Sequence, residues 1–125
     1  MKLFILAATT FISSAALAQQ PPKFLSDSYP AHALKAVLQA QGVLEGKEAK
    51  LDPKVRQLIA LGVAAQIPCT YCVYIHTKRA QGLGASEAEI REAVATAAIV
   101  RHWSTVLNGM QVDFDDFKAQ LSAKK

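Results

Sequence analysis

Apolar residues recur along this chain at helical spacing, in blocks separated by short polar or glycine-bearing stretches. The first block after the N-terminal region holds Ala33, Leu34, Val37 and Leu38. Asp27 or Ser28 can cap it, Pro30 suits its first turn, and Gly42 is its expected end. Residues 45–51 are polar and read as a loop. Asp52-Pro53 then supplies a cap followed by proline at the first helical position, and Val55, Leu58, Ile59, Gly62 and Val63 carry an apolar face up to Ile67. A third helix is expected over 69–81, entered after Pro68 and closed at Gly82. Ser86 with Glu89 forms a capping box for a long helix over 87–107, ending at Asn108-Gly109. Asp113 opens a last short helix holding Phe114, Phe117 and Leu121. With no strand pattern and short connections, the prediction is an all-α fold, a compact bundle of about five helices.

The N-terminus follows another pattern. An uninterrupted apolar run, 3–12, comes after Met1-Lys2 and gives way to small residues ending in Ala16-Leu17-Ala18. This is the form of a secretory signal peptide over 1–18, and the run is too short to span a bilayer comfortably. An extended lead-in over 19–26, containing Pro21-Pro22, would connect it to one helical domain over 27–125. The expected location is periplasmic or secreted, with no membrane attachment after cleavage.

Composition changes this picture little. The chain has 125 residues, 51% hydrophobic, and a net charge of +4 that falls by one when Lys2 is removed with the leader. The basic residues are dispersed and lack interleaved aromatics, which argues against a nucleic-acid surface. Many apolar residues on a chain of this size point to surface shared between copies, hence a homo-oligomer. Export matters more, because outside the cytoplasm a cysteine pair can rest oxidised.

The chemistry-bearing residues are concentrated in Cys69-Thr70-Tyr71-Cys72-Val73-Tyr74-Ile75-His76, which contains both cysteines. Cys69 and Cys72 are spaced i,i+3, and Cys72 and His76 i,i+4, so the three can share a face. A first-turn cysteine meets unpartnered N–H groups and the positive end of the helix dipole, which favour thiolate. Val73 stands where haem attachment would require histidine, so c-type haem is excluded. Zinc on Cys69, Cys72 and His76 would need a fourth ligand, His102 or an acid. A purely structural disulfide is the remaining alternative, although a loop this small gains little by closure. Redox chemistry without a cofactor is the leading reading. His32 is expected at the surface, and His102 and Trp103 are possible pocket residues, with Trp103 otherwise a core side chain.

The run Lys54-Val55-Arg56-Gln57-Leu58-Ile59-Ala60-Leu61, then Pro68-Cys69-Thr70-Tyr71-Cys72, His76-Thr77 and Ala80 resembles the core of the carboxymuconolactone decarboxylase superfamily. The resemblance is to its thiol-bearing branch, typified by alkyl hydroperoxidase D, more than to the ring-lactone decarboxylases, which lack these cysteines. It implies an all-helical fold, trimers or hexamers, and reduction of a small peroxide or disulfide substrate, with an unidentified thiol as reductant. Cys69 and Cys72 would be the redox pair and His76 the proton-relay histidine; Tyr71, between the cysteines, is a further possible pocket residue with no role carried over from the family. One position departs from that pattern. The relay commonly begins with a glutamate, and here Gln57 occupies the place, twelve residues before Cys69. An amide can orient His76 but cannot accept a proton as a carboxylate does, which predicts weak peroxidase activity.

Overall fold

A computed structural model describes residues 20–123. The signal peptide expected over 1–18 lies outside the described residues. Six helices follow in order: α1 Lys23–Ser28, α2 Ala31–Glu45, α3 Pro53–Gln66, α4 Thr70–Gly82, α5 Glu87–Gly109 and α6 Phe114–Ser122. No strand occurs among the described residues, so the fold is all-α.

The chain divides into two units after Gly42. In the first, α1 occupies part of the segment expected to be extended. Pro22 precedes it, the Ser26 hydroxyl donates to the Lys23 carbonyl at 2.9 Å, and Lys23 pairs with Asp27 one turn on. These local bonds support the turn that the Pro21-Pro22 signal had argued against. Asp27 and Ser28 consequently lie inside α1 and do not cap α2. Pro30 takes that place, its carbonyl accepting from the N–H groups of Ala33 and Leu34. Gly42 does not end α2, which runs on to Glu45; with no special backbone angle demanded there, glycine is tolerated within the helix.

In the second unit, α3 is the central element and packs on both α4 and α5. Asp52 Oδ1 caps α3 by accepting from Lys54 N–H at 2.8 Å, with Pro53 at the first position. Leu61, at 1% exposure, and Ala64 are its buried apolar side chains, joined by Ala80 of α4 and Ala85 of the following turn. Small residues allow close contact. A Cβ at Gly62 would meet the Ala97 Cβ at 3.4 Å, so α3 and α5 approach tightly there.

Polar ties hold both ends of the α3–α5 seam. Lys54 Nζ meets Glu89 Oε1 at 2.7 Å, and Gln66 Nε2 donates to the Ala97 carbonyl at 2.6 Å. Arg101 Nε returns a bond to Gln66 Oε1 at 2.9 Å. Because the starts of both helices meet and the end of α3 meets the later turns of α5, the two run in the same direction. The capping box at Ser86 forms as expected, with Glu89 N–H donating to Ser86 Oγ and Ser86 N–H to Glu89 Oε2.

Two expected helix ends move. Gly82 is the last residue of α4, and Gly84, at φ +83°, takes the left-handed position while Ala85 N–H donates to the Ala80 carbonyl. The α5 helix continues through Asn108-Gly109, and Gln111, at φ 52°, makes the reversal. There Val112 N–H donates to the Leu107 carbonyl, a Schellman pattern with a non-glycine residue in the strained position.

Candidate active site

The α3–α4 junction places the cysteine pair. The chain leaves α3 at Ile67, and Cys69 N–H donates back to the Ala64 carbonyl at 3.1 Å. Cys69 is the cap of α4 and not, as expected, a residue of its first turn, because the helix begins at Thr70. Its sulfur assumes the role usually taken by a serine or aspartate oxygen: Sγ accepts from Cys72 N–H at 3.2 Å. Cys69 and Cys72 form a disulfide with their Cα atoms 5.2 Å apart. Both residues are partly exposed. A negative charge on Cys69 Sγ would be met by a hydrogen bond already aimed at it and by the N-terminal end of α4.

One turn beyond Cys72, His76 meets a residue from the neighbouring helix. Gln57 Oε1 lies 2.8 Å from His76 Nδ1, and Gln57 is only 7% exposed, the buried polar side chain of this unit among the described residues. With the amide oxygen so placed, Nδ1–H donates to it and Nε2 keeps the free lone pair. Burial lowers the His76 pKa from its ordinary value, the Arg79 guanidinium one turn on lowers it further, and Glu45 opposes both. His76 is therefore neutral at pH 7 and available as a base.

Behind this pair lies a cleft of about 400 Å³ lined by Glu45, Pro53, Arg56, Gln57, Arg79, Gly82 and Leu83. Arg56 donates to the Leu51 carbonyl at 2.6 Å, and Arg79 approaches Glu45 at 3.5 Å. Neither arginine was singled out from sequence. Arg79 had a legible signal, standing three residues after His76 on the same helix; Arg56 had none, since its Nη2 bond to the Glu45 carbonyl at 3.4 Å crosses a loop.

The remaining sequence candidates do not join this cluster. Tyr71 is 88% exposed. His102 and Trp103 pack edge to face on α5, their ring centroids 5.2 Å apart, and no hydrogen bond or ring contact among the described residues links them to the disulfide. Trp103 is 53% exposed, so it is not a core residue of the single chain. No group of three histidine, cysteine or acidic side chains among the described residues is placed to hold a metal ion.

The fold and site together define an all-helical protein with a Cys-x-x-Cys disulfide at a helix start and a buried glutamine–histidine pair beside it. The Carboxymuconolactone decarboxylase family model matches residues 31–113, and the chain belongs to that family. It is also similar to "Uncharacterized protein 4 in cox locus" of Paracoccus denitrificans, 41% identical over 51 residues. That stretch covers 41% of this chain and 46% of the Paracoccus protein, so the chain spans about half the length of the curated relative it matches.

Proposed function

We propose that the protein is an exported thiol oxidoreductase of the thiol-bearing branch of its family, in which Cys69 and Cys72 cycle between disulfide and dithiol. The observation that carries this reading is the disulfide at the cap of α4, with Cys72 N–H aimed at Cys69 Sγ. An incoming thiolate attacks Cys72 Sγ, the Cys69–Cys72 bond breaks, and Cys69 departs as the thiolate that the cap and helix start stabilise, since a lower-pKa thiol leaves faster. A second thiol of the reductant then resolves the mixed disulfide, leaving the enzyme dithiol and an oxidised dithiol product.

The dithiol returns electrons by either of two routes. Attack on a partner disulfide transfers them directly. Attack on a peroxide breaks its O–O bond, releases an alcohol or water, and leaves a sulfenic acid; the second cysteine then condenses with it, releases water and restores the disulfide. His76, neutral and oriented by Gln57, takes the thiol proton through Nε2 and delivers it to the leaving oxygen. Gln57 supplies no charge to stabilise the imidazolium formed in that step, so disulfide exchange is the faster activity and peroxide reduction the slower. The apolar leader-like run at 3–12 supports export, and the many apolar side chains exposed on α3 and α5 support a homo-oligomer, a trimer or hexamer on the family resemblance.

The test is a free-thiol titration of mature protein before and after a small dithiol, then after peroxide, with mass spectrometry of the cysteine peptide. Recovery of two thiols on reduction and their loss on oxidation is expected. A disulfide that resists millimolar dithiol in the folded protein would overturn the reading, and two thiols in protein taken from its own compartment would overturn an oxidised resting state.

A further inference from the structure

Helix α6 has an apolar face that no other helix among the described residues covers. Phe114, Phe117 and Leu121 recur at i, i+3 and i+7, yet α6 packs substantially on no other helix, and Phe114 and Leu121 are 67% and 61% exposed. Its fold is set locally. Asp113 caps it through two N–H groups, the Phe114 and Phe117 rings stack at 6.4 Å, and Lys118 lies over the Phe114 ring. A nine-residue helix of this kind is marginal in water unless its face is buried.

Along the α3–α5 seam lies an unfilled apolar groove of about 740 Å³ with Ile59, Val63 and Val100 in its lining. Its charges are polarised. Glu92 stands near the start of α5, beside a Glu89 already paired with Lys54, and Arg101 stands where α3 ends. Helix α6 begins with acidic residues, Asp113, Asp115 and Asp116, and Lys118 one turn on pairs with Asp115 at 2.6 Å. The α5–α6 reversal, fixed by the Val112 and Gln111 N–H bonds, leaves α6 standing off its own groove. The family match ends at Asp113, so α6 lies outside what the chain shares with the family model.

We propose that α6 of one copy lies in the α3–α5 groove of a second copy, its acidic start at Arg101, with Phe114, Phe117 and Leu121 buried on Ile59, Val63 and Val100. This arm exchange rests on the reading that copies associate and names the segment that holds them. Each copy both lends its α6 and receives another, which doubles the surface buried per copy; one short helix alone would leave it well below the roughly 800 Å² per partner of a stable interface.

The test mixes two differently tagged full-length chains, both with the native disulfide oxidised, one bearing Thr96→Cys in the groove and the other Ala119→Cys on α6, and treats them with a bismaleimide. A crosslink between the two tags is expected, and adding Phe117→Ser and Leu121→Ser to the α6 chain should abolish it and weaken association about a hundredfold by light scattering on dilution. Circular dichroism serves as the folding control, since α6 carries none of the α3–α5 core and the helical signal of the serine variant should persist. An oligomer with no cross-tag product, or one indifferent to the serine substitutions, overturns arm exchange while leaving association intact. A monomer at working concentration overturns both, and a crosslink confined to one chain carrying both cysteines shows that α6 closes on its own groove and likewise overturns the exchange.

Discussion

Replacing Gln57 with glutamate should weaken the pH dependence contributed by His76 and quicken peroxide reduction. In the native protein His76 sits below its ordinary pKa because burial, and then Arg79, disfavour the imidazolium. A group of this kind binds a proton more readily unfolded than folded, so its contribution to stability falls as pH drops below about 6.5. Glutamate at 57 would place a carboxylate where the amide oxygen now lies, 2.8 Å from Nδ1. Opposite charges about 4 Å apart attract by about 4 kcal/mol at an effective dielectric near 20. At a position only 7% exposed, desolvation raises the new carboxyl's own pKa, and its share of the neutral form cuts the pull on His76 by more than half. About 1.4 kcal/mol remains, roughly one pKa unit upward for His76. In Gln57→Glu the folded-state pKa of His76 moves upward, so the stability lost as pH drops below about 6.5 is smaller than in the native protein. The peroxide rate should rise about tenfold, because a stabilised imidazolium makes the proton transfer easier. NMR titration of His76, urea denaturation between pH 5.5 and 8, and stopped-flow peroxide kinetics measure the three effects. If His76 titrates at the same pH in both proteins while the variant is folded, the Gln57–His76 bond does not govern the base and the proton route described above is wrong.

Removing either sulfur by Cys69→Ser or Cys72→Ser should abolish both exchange and peroxide turnover, whereas His76→Ala should slow peroxide turnover about 100-fold and exchange less, as single-turnover kinetics would show. Glu89, held down to about 2 by Lys54 and by the Ser86 cap, contributes stability above its ordinary pKa of 4.5 that disappears as pH falls toward 2; in Lys54→Ala that loss should be smaller and complete at a higher pH in acid-denaturation curves. Gln111→Gly should stabilise by about 1 kcal/mol, because only the native residue strains the left-handed position, and Gly84→Ala should cost about as much for the same reason; thermal unfolding decides both. Leu61→Ala, emptying the most buried large side chain, should cost about 2 to 5 kcal/mol in the same assay.

Local chemistry along the chain determined most of the second unit before any tertiary contact was known. Asp52-Pro53, Ser86 with Glu89, and Asp113 start helices because their side chains satisfy N–H groups two or three residues ahead, an interaction complete within four residues of sequence. The cysteine–histidine spacing was legible for the same reason, since i+3 and i+4 on one helix need no partner to be neighbours. Helix ends were less legible: Gly82 and Gly109 look like stops, but the left-handed residue is set by where the following carbonyl bonds close, at Gly84 and at Gln111. Whether Gln57 touches His76, that Arg79 and Glu45 shape the histidine's charge, and that Trp103 stays outside the single-chain core depend on how α3, α4 and α5 pack. Those are contacts between residues far apart in the chain, fixed by Gly62 fitting against Ala97 and by the ties at Lys54 and Gln66. No local pattern carries that information, because helices with the same apolar faces could pack at other rotations and would bring a different side chain to the base.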